Sequence, residues 1–250
     1  MIQEYYRAAA KSDALNKVKA GYIPIGGGTY LSQHQEGIST VVDLQDLGLN
    51  EIKADAGTIV IGASTTFREL FENDLIPVSL KMAIQQELKI NLRNLVTVAG
   101  HLCITDGFSI IQGWLYAAGV KIHIYPEGES IPLQAISNPK ELAKEGFIES
   151  ISIEKNTDVH WNTISRTPDD ISLVGVILGQ QQDQNIRVVL AGFNEHVNVL
   201  SPINKGRIME QVKDFLLNAH SQYSNKFISY NYYFKNSITL LERILKDNFK

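Results

Sequence analysis

Two glycine-centred segments about seventy residues apart carry the chain's most specific chemistry: Ile23-Pro24-Ile25-Gly26-Gly27-Gly28-Thr29-Tyr30-Leu31 and Asn91-Leu92-Arg93-Asn94-Leu95-Val96-Thr97-Val98-Ala99-Gly100-His101. In each, residues without bulk follow an apolar stretch, so the main chain can approach a ligand closely and turn its N–H groups outward. Such surfaces suit a diphosphate, which gains charge-assisted hydrogen bonds from backbone donors without any lysine. Two of them on one chain imply a dinucleotide held between two loops. A run of three glycines also admits the plain reading of a tight turn. A G-x-G-x-x-G nucleotide fingerprint is the competitor, with Gly26 and Gly28 as its first glycines and Asp43 as the acidic ribose partner. Leu31 stands where the third glycine should let a helix pack closely on a strand, which leaves that fingerprint a minor alternative.

Other reactive residue types are sparse. Cys103 is the only cysteine, so the chain can form no internal disulfide and cannot supply the four thiolates of an iron–sulfur cluster; any cluster must come from a partner. Its expected role is that of a small buried apolar residue. His34, His101, His123, His160, His196 and His220 are scattered, without the i, i+4 spacing of a helical metal site. We therefore assign no metal ligand and no catalytic nucleophile or base. Arg93 is expected to tie two loops together and Asp43 to cap a turn.

Around these residues lie 250 positions with 44% hydrophobic and 20% charged composition, enough for one large domain or two or three small ones. A net charge of -4, a pI near 5.9 and no basic run give no electrostatic footprint for nucleic acid. The most apolar region, Phe108 to Tyr125, is interrupted by Gln112 and Lys121 and is too short to span a bilayer. Met1-Ile2-Gln3-Glu4 lacks the features of a secretory signal, and the expected location is the cytoplasm.

The elements that must position the glycine segments can be read from periodicity. Ser12 to Lys19, with Ala14, Leu15 and Val18 at helical spacing behind a Ser-Asp start, reads as a short amphipathic helix, and Tyr22–Ile25 and Thr40–Leu44 read as short strands. The first glycine segment would then leave the end of a strand, where open α/β sheets bind ligands. Thr58–Ile61 reads as a β-branched strand, and Thr66 with Glu69 as a capping box opening the next helix. Helices follow at about Val78–Leu88 and Ile110–Ala118, then strands at Val120–Tyr125 and Ile148–Ile153. From Asp158 an antiparallel meander is expected, with Asp170–Ile177 and Ile186–Phe193 flanking a polar turn from Gln180 to Asn185. Two helices close the chain, one marked by Ile208, Val212, Phe215 and Leu216, the other by Tyr230, Tyr233, Phe234, Ile238, Leu241 and Ile244. The tyrosines read as a core stripe with polar tips. Boundaries fall near Asp55 and Asn156, giving segments 1–55, 56–155 and 156–250.

In this order and spacing the chain resembles the flavin-binding medium subunits of the molybdenum hydroxylases, the xanthine dehydrogenase and carbon monoxide dehydrogenase flavoproteins. The likeness rests on Gly26-Gly27-Gly28-Thr29, Val42-Asp43-Leu44, Ile61-Gly62-Ala63-Ser64-Thr65-Thr66, Arg93-Asn94, Ser165-Arg166, Asp170-Ile171-Ser172-Leu173-Val174 and Ser229-Tyr230. It implies an α+β fold. A two-lobed FAD-binding domain, a small α/β lobe plus a mixed or antiparallel β lobe with helices, would precede a small α+β C-terminal domain with a three-stranded antiparallel sheet.

The resemblance further implies FAD as cofactor, with its diphosphate wrapped by the amides around Ile25, Gly26, Gly27, Gly28 and Thr29 and those of Thr97, Gly100 and His101. It implies a subunit that passes electrons from an iron–sulfur partner through flavin to a soluble acceptor such as NAD, beside a molybdopterin subunit. The chain departs from the family's usual pattern in three places. Ala99 and His101 replace glycine and asparagine. In Thr105-Asp106-Gly107-Phe108-Ser109, Ser109 replaces an aspartate, leaving Asp106 as the acceptor for a ribose or ribityl hydroxyl. Thr163 replaces a lysine before the Ser-Arg pair. These differences motivate a second reading, a fold-preserving homologue without tight flavin binding that serves as a structural or assembly component.

Overall fold

The computed structural model describes residues 2–34, 36–104, 106–126, 128, 130–136, 146–168, 170–181, 185–200 and 202–249. Strand β1 (Glu4–Arg7) is followed by α1 (Lys11–Lys19), β2 (Ile23–Ile25) and β3 (Thr40–Asp43). Both β1 and β2 run parallel to β3, giving the order β1-β3-β2. The helical spacing of Ala14 and Val18 buries them with Val42, Leu44, Leu49 and Phe147 in a small core. β1 was not anticipated, because Glu-Tyr-Tyr-Arg carries no apolar alternation; its backbone ladder with β3 and the hydrogen bond from the Tyr5 hydroxyl to Asp43 hold it at the sheet edge.

Next come β4 (Ile52–Asp55), β5 (Thr58–Gly62), α2 (Phe67–Glu72), α3 (Val78–Glu87), α4 (Ile90–Arg93), α5 (Val98–Leu102), α6 (Ile110–Ala117), β6 (Lys121–Tyr125), β7 (Ser130–Pro132) and β8 (Phe147–Glu154). The strands form an antiparallel sheet ordered β4-β5-β8-β6-β7. The β-branched alternation read from the sequence puts Ile59, Ile61, Ile122, Ile151 and Ile153 inside. α2 begins with the expected capping box: the Thr66 amide donates to Glu69 Oε2 at 2.7 Å, and the Glu69 amide to Thr66 Oγ1 at 3.2 Å.

The remaining elements are β9 (Val159–Ile164), β10 (Val174–Gln180), β11 (Asn185–Ala191), β12 (Asn198–Val199), β13 (Ile203–Asn204), α7 (Ile208–Asn218) and α8 (Tyr230–Asn248). β9, β10 and β11 make the three-stranded antiparallel sheet that was expected, and the two-residue strands β12 and β13 add to β11. Strand β10 is buried almost throughout, the pattern of a strand covered on both faces. One face packs with Ile208, Val212, Leu216, Tyr233, Leu241 and Ile244 of the last two helices. The other meets α6, where a methyl group at Gly175 would crowd Ile110 Cδ1 at 2.6 Å and one at Gly113 would crowd Ile177 Cδ1 at 2.8 Å. The tyrosines behave as a core stripe with satisfied tips: Tyr233 donates to the Ala191 carbonyl at 3.0 Å, and Tyr230 to the Leu216 carbonyl at 2.8 Å.

Contacts divide the chain into two units, one of residues 1–76, 88–104 and 120–155, the other of 77–87, 105–119 and 156–250. α3 and α6 therefore belong with the C-terminal sheet, across the linear boundaries read from the sequence. Positions 182–184 of the Gln180–Asn185 turn lie outside the described residues. Among the described residues no helix is long and apolar enough to cross a membrane.

Candidate functional site

The first glycine segment leaves β2, whose Ile25 sits in register with Asp43 of β3. The Asp43 side chain accepts the Gln45 amide at 2.8 Å, the turn cap expected of it, and also the Tyr5 hydroxyl. That hydrogen bond raises the Tyr5 phenol above its ordinary value. The fixed turn returns two bonds to the segment: the Leu44 amide to the Ile25 carbonyl at 3.2 Å, and Gln45 Nε2 to the Gly26 carbonyl at 3.2 Å. Gly27 lies so close to the second segment that a methyl group there would overlap the Leu95 carbonyl oxygen. Gly28 adopts φ +67°, a left-handed conformation that glycine takes without strain. Among the described residues, the amides of Gly26, Gly27, Gly28 and Thr29 donate no hydrogen bond within the chain.

The second segment is built differently from the open loop that its glycine suggested. Thr97 bridges Thr66, with the Phe67 amide donating to the Val96 carbonyl at 3.1 Å and the Val98 amide to the Thr65 carbonyl at 2.9 Å. It then caps α5: the Gly100 amide donates to Thr97 Oγ1 at 3.3 Å and the His101 amide to the Thr97 carbonyl at 2.9 Å. The amides of Gly100 and His101, two of the expected cofactor contacts, are thus already engaged inside the chain. The His101 side chain is 7% exposed and lies edge-on to Phe67, with ring centroids 5.2 Å apart. Sequence reasoning missed the short helix because Gly100 looked like a loop residue; Thr97 three positions earlier was the signal that a helix starts there.

Within the same unit the two segments enclose an open groove with two chambers. Pro24, Ile25, Gly26, Thr97, Gly100 and Cys103 line both. The larger chamber, about 770 Å³ including its open mouth, continues along Gly27, Gly28, Thr29 and Tyr30; the smaller, about 490 Å³, reaches Ser64 and Phe147. Cys103 is partly exposed here rather than buried. Among the described residues the walls hold no Asp, Glu, Lys, Arg or His side chain, and neither His101 nor Asp106 lines them.

Asp106 belongs by contact to the other unit, where its carboxylate accepts the Phe108 amide at 2.9 Å. Thr105 lies outside the described residues. Ser109, at the position of the family's aspartate, caps α6 through the Gln112 amide at 3.0 Å and donates its hydroxyl to Glu87 at 2.8 Å. Thr163 Oγ1 donates to the Val174 carbonyl at 3.0 Å. Arg93 Nε donates to the Leu88 carbonyl at 2.7 Å, and its guanidinium lies over the Phe71 ring of α2 at 5.1 Å.

An uncharged groove floored by undonated amides fits a diphosphate, whose negative charge they can take up directly. A family model for the FAD binding domain in molybdopterin dehydrogenase matches residues 1–153 of the 250. The chain belongs to this family. FAD is accordingly its cofactor, and both groove chambers lie inside the matched stretch. No curated protein sequence matches the chain.

Solved structures match the FAD-binding family member over nearly its whole length. Carbon monoxide dehydrogenase from Hydrogenophaga pseudoflava, in a form lacking the Mo-pyranopterin moiety, gives a TM-score of 0.79 at 15% identity, covering 98% of this chain and 96% of that one. Quinoline 2-oxidoreductase from Pseudomonas putida 86 gives 0.77 at 15% identity, with the same 98% and 96% coverage. Reconstituted CO dehydrogenase from Oligotropha carboxidovorans gives 0.74 at 16% identity, with 98% and 97% coverage. At such identities the likeness establishes the fold, including the part of the chain that lies beyond the family match.

Proposed function

We propose that this chain is the FAD-binding electron-transfer subunit of a cytoplasmic molybdenum-hydroxylase-type oxidoreductase, taking electrons from an iron–sulfur partner and passing them to a soluble acceptor such as NAD. The observation that carries this reading is the Gly26–Thr29 backbone, its amides undonated within the chain and lining an uncharged groove. When bound, FAD supplies the electron-transfer chemistry, and the protein's part is binding, orientation and electrostatics. Ile25 and Gly26–Thr29 would hold the diphosphate from one side. Thr97 faces it from the other with its hydroxyl, while Gly100 offers bare backbone to the groove wall rather than a free donor. His101 serves behind the wall, against Phe67. A partner with the iron–sulfur centre is required because one cysteine cannot hold a cluster.

The test is direct. Protein purified without added cofactor is examined for flavin absorbance, titrated with FAD, and then mixed with a dithionite-reduced iron–sulfur subunit of a molybdenum hydroxylase, freed of excess dithionite, with NAD as acceptor. Flavin uptake with electron delivery from the partner is the expected result. Failure to bind FAD at high concentration would favour the structural or assembly component instead.

A further inference from the structure

Tyr30, the residue after the diphosphate segment, has no part in the reading above, yet it lines the larger chamber and is 37% exposed. Its ring is set by a tight turn: the Ser32 amide donates to the Gly28 carbonyl at 3.0 Å and Ser32 Oγ to the Thr29 carbonyl at 2.8 Å. The His34 amide and His34 Nδ1 each lie 3.1 Å from the Tyr30 carbonyl. This holds the imidazole against the phenol, with ring centroids 4.2 Å apart and planes 10° from parallel. Among the described residues the Tyr30 hydroxyl has no hydrogen-bond partner. Around it the chamber wall is apolar, made by Ile23, Leu31, Ile38, Val96 and Ile104. A large aromatic that is neither buried nor tied at its tip, yet is braced on one face by a second ring, has the form of a platform. Stacking on such platforms is tolerant of ring identity, because every planar heterocycle presents a π-face.

We propose that Tyr30, backed by His34, stacks on a planar ring of the dinucleotide whose diphosphate the neighbouring glycines hold. The inference rests on the diphosphate reading given above. FAD carries two rings of this chemistry, isoalloxazine and adenine, each joined to the diphosphate by a short sugar or polyol arm. The larger chamber runs from Gly26–Thr29 to Tyr30, so a ring on such an arm would meet the Tyr30 face where the chamber opens. The residue is a positioning residue: it orients a ring and exchanges no proton or electron with it.

Tyr30→Leu and Tyr30→Phe are made in the full chain, checked by circular dichroism, and titrated separately with FAD and with ADP. Tyr30→Leu is expected to raise the Kd for FAD about tenfold, and Tyr30→Phe to stay within about threefold of the parent, since the π-face is kept. If isoalloxazine is the stacked ring, the bound flavin becomes more fluorescent in Tyr30→Leu and ADP affinity is unchanged. If adenine is, ADP affinity falls in parallel with that for FAD. Tyr30→Leu binding both FAD and ADP as tightly as the parent overturns the proposal, while the diphosphate reading stands provided that Gly27→Ala loses FAD. A parent that takes up no FAD overturns both.

Discussion

Replacing Gly27 by alanine adds one methyl group where the two glycine segments meet. That carbon would overlap the Leu95 carbonyl oxygen and lie 2.6 Å from the Leu95 carbonyl carbon, against the 3.4 Å at which ordinary contact begins. Neither atom can rotate away, because both are backbone, fixed by the Leu95 amide on the Leu92 carbonyl at 3.0 Å and the Val96 carbonyl under the Phe67 amide at 3.1 Å. The overlap with the oxygen is the larger one, so the first segment must move outward by well over one ångström, enough to misalign its amides. Hydrogen bonds to a charged group contribute about 1.5–3 kcal/mol each, so losing one to two of them raises the Kd for FAD about 100-fold. Overpacking lowers stability by about 1–3 kcal/mol as well. Gly28→Ala is the control: nothing lies within 4 Å of the added methyl, and its cost is the left-handed φ of +67° alone, about 1–2 kcal/mol of stability with a smaller loss of affinity. The assay is FAD titration by flavin fluorescence alongside urea unfolding. Gly27→Ala retaining parental affinity, or Gly28→Ala losing more affinity than Gly27→Ala, would refute the argument that approach of the two segments shapes the groove.

Thr97→Val removes the cap of α5 and the groove hydroxyl together; we expect a loss of about 1 kcal/mol in urea unfolding and weaker FAD binding, both largely restored by Thr97→Ser. Glu87 accepts the Ser109 hydroxyl at 2.8 Å and the Ile111 amide at 2.9 Å, so Glu87→Ala should destabilise the unit containing α6 by about 1–3 kcal/mol, and Glu87→Gln by less. Burial raises the Tyr223 phenol from 10.0 to about 12 and that of Tyr233 further still. Because the folded values lie above the unfolded ones, this stabilising contribution is complete below pH 10 and is lost as pH rises toward 12 and beyond. Urea midpoints should fall in that alkaline window together with the growth of tyrosinate absorbance; a midpoint independent of pH there would contradict it.

Much of the architecture was legible because local chemistry and tertiary packing agreed. Thr66 and Glu69 wrote a capping box that formed as read, and the aromatic stripe of α8 buried Tyr233 with its hydroxyl on the Ala191 carbonyl. β1 was illegible because its Glu-Tyr-Tyr-Arg side chains are mostly exposed, and only partner strand β3 makes it a strand. The site was half legible. Gly26–Gly28 announced close backbone approach, and the structure supplies the surface approached, Leu95 to Thr97. The second segment hid its helix behind a glycine and a histidine. The expected donors there were assigned by likeness, whereas the Thr97 cap decides which amides remain. Nor could any linear division foresee that α3 and α6 leave their sequence neighbours to cover the sheet of β9, β10 and β11. That grouping follows from which apolar faces find each other.

Among the described residues the groove walls hold no carboxylate, ammonium, guanidinium or imidazole. Peptide dipoles keep their strength when acidity changes, and their alignment is set by covalent geometry rather than by counter-ions. A phosphate bridge held as proposed would be gripped with the same force whether protons are abundant or scarce, so the anchor would not depend on acidity.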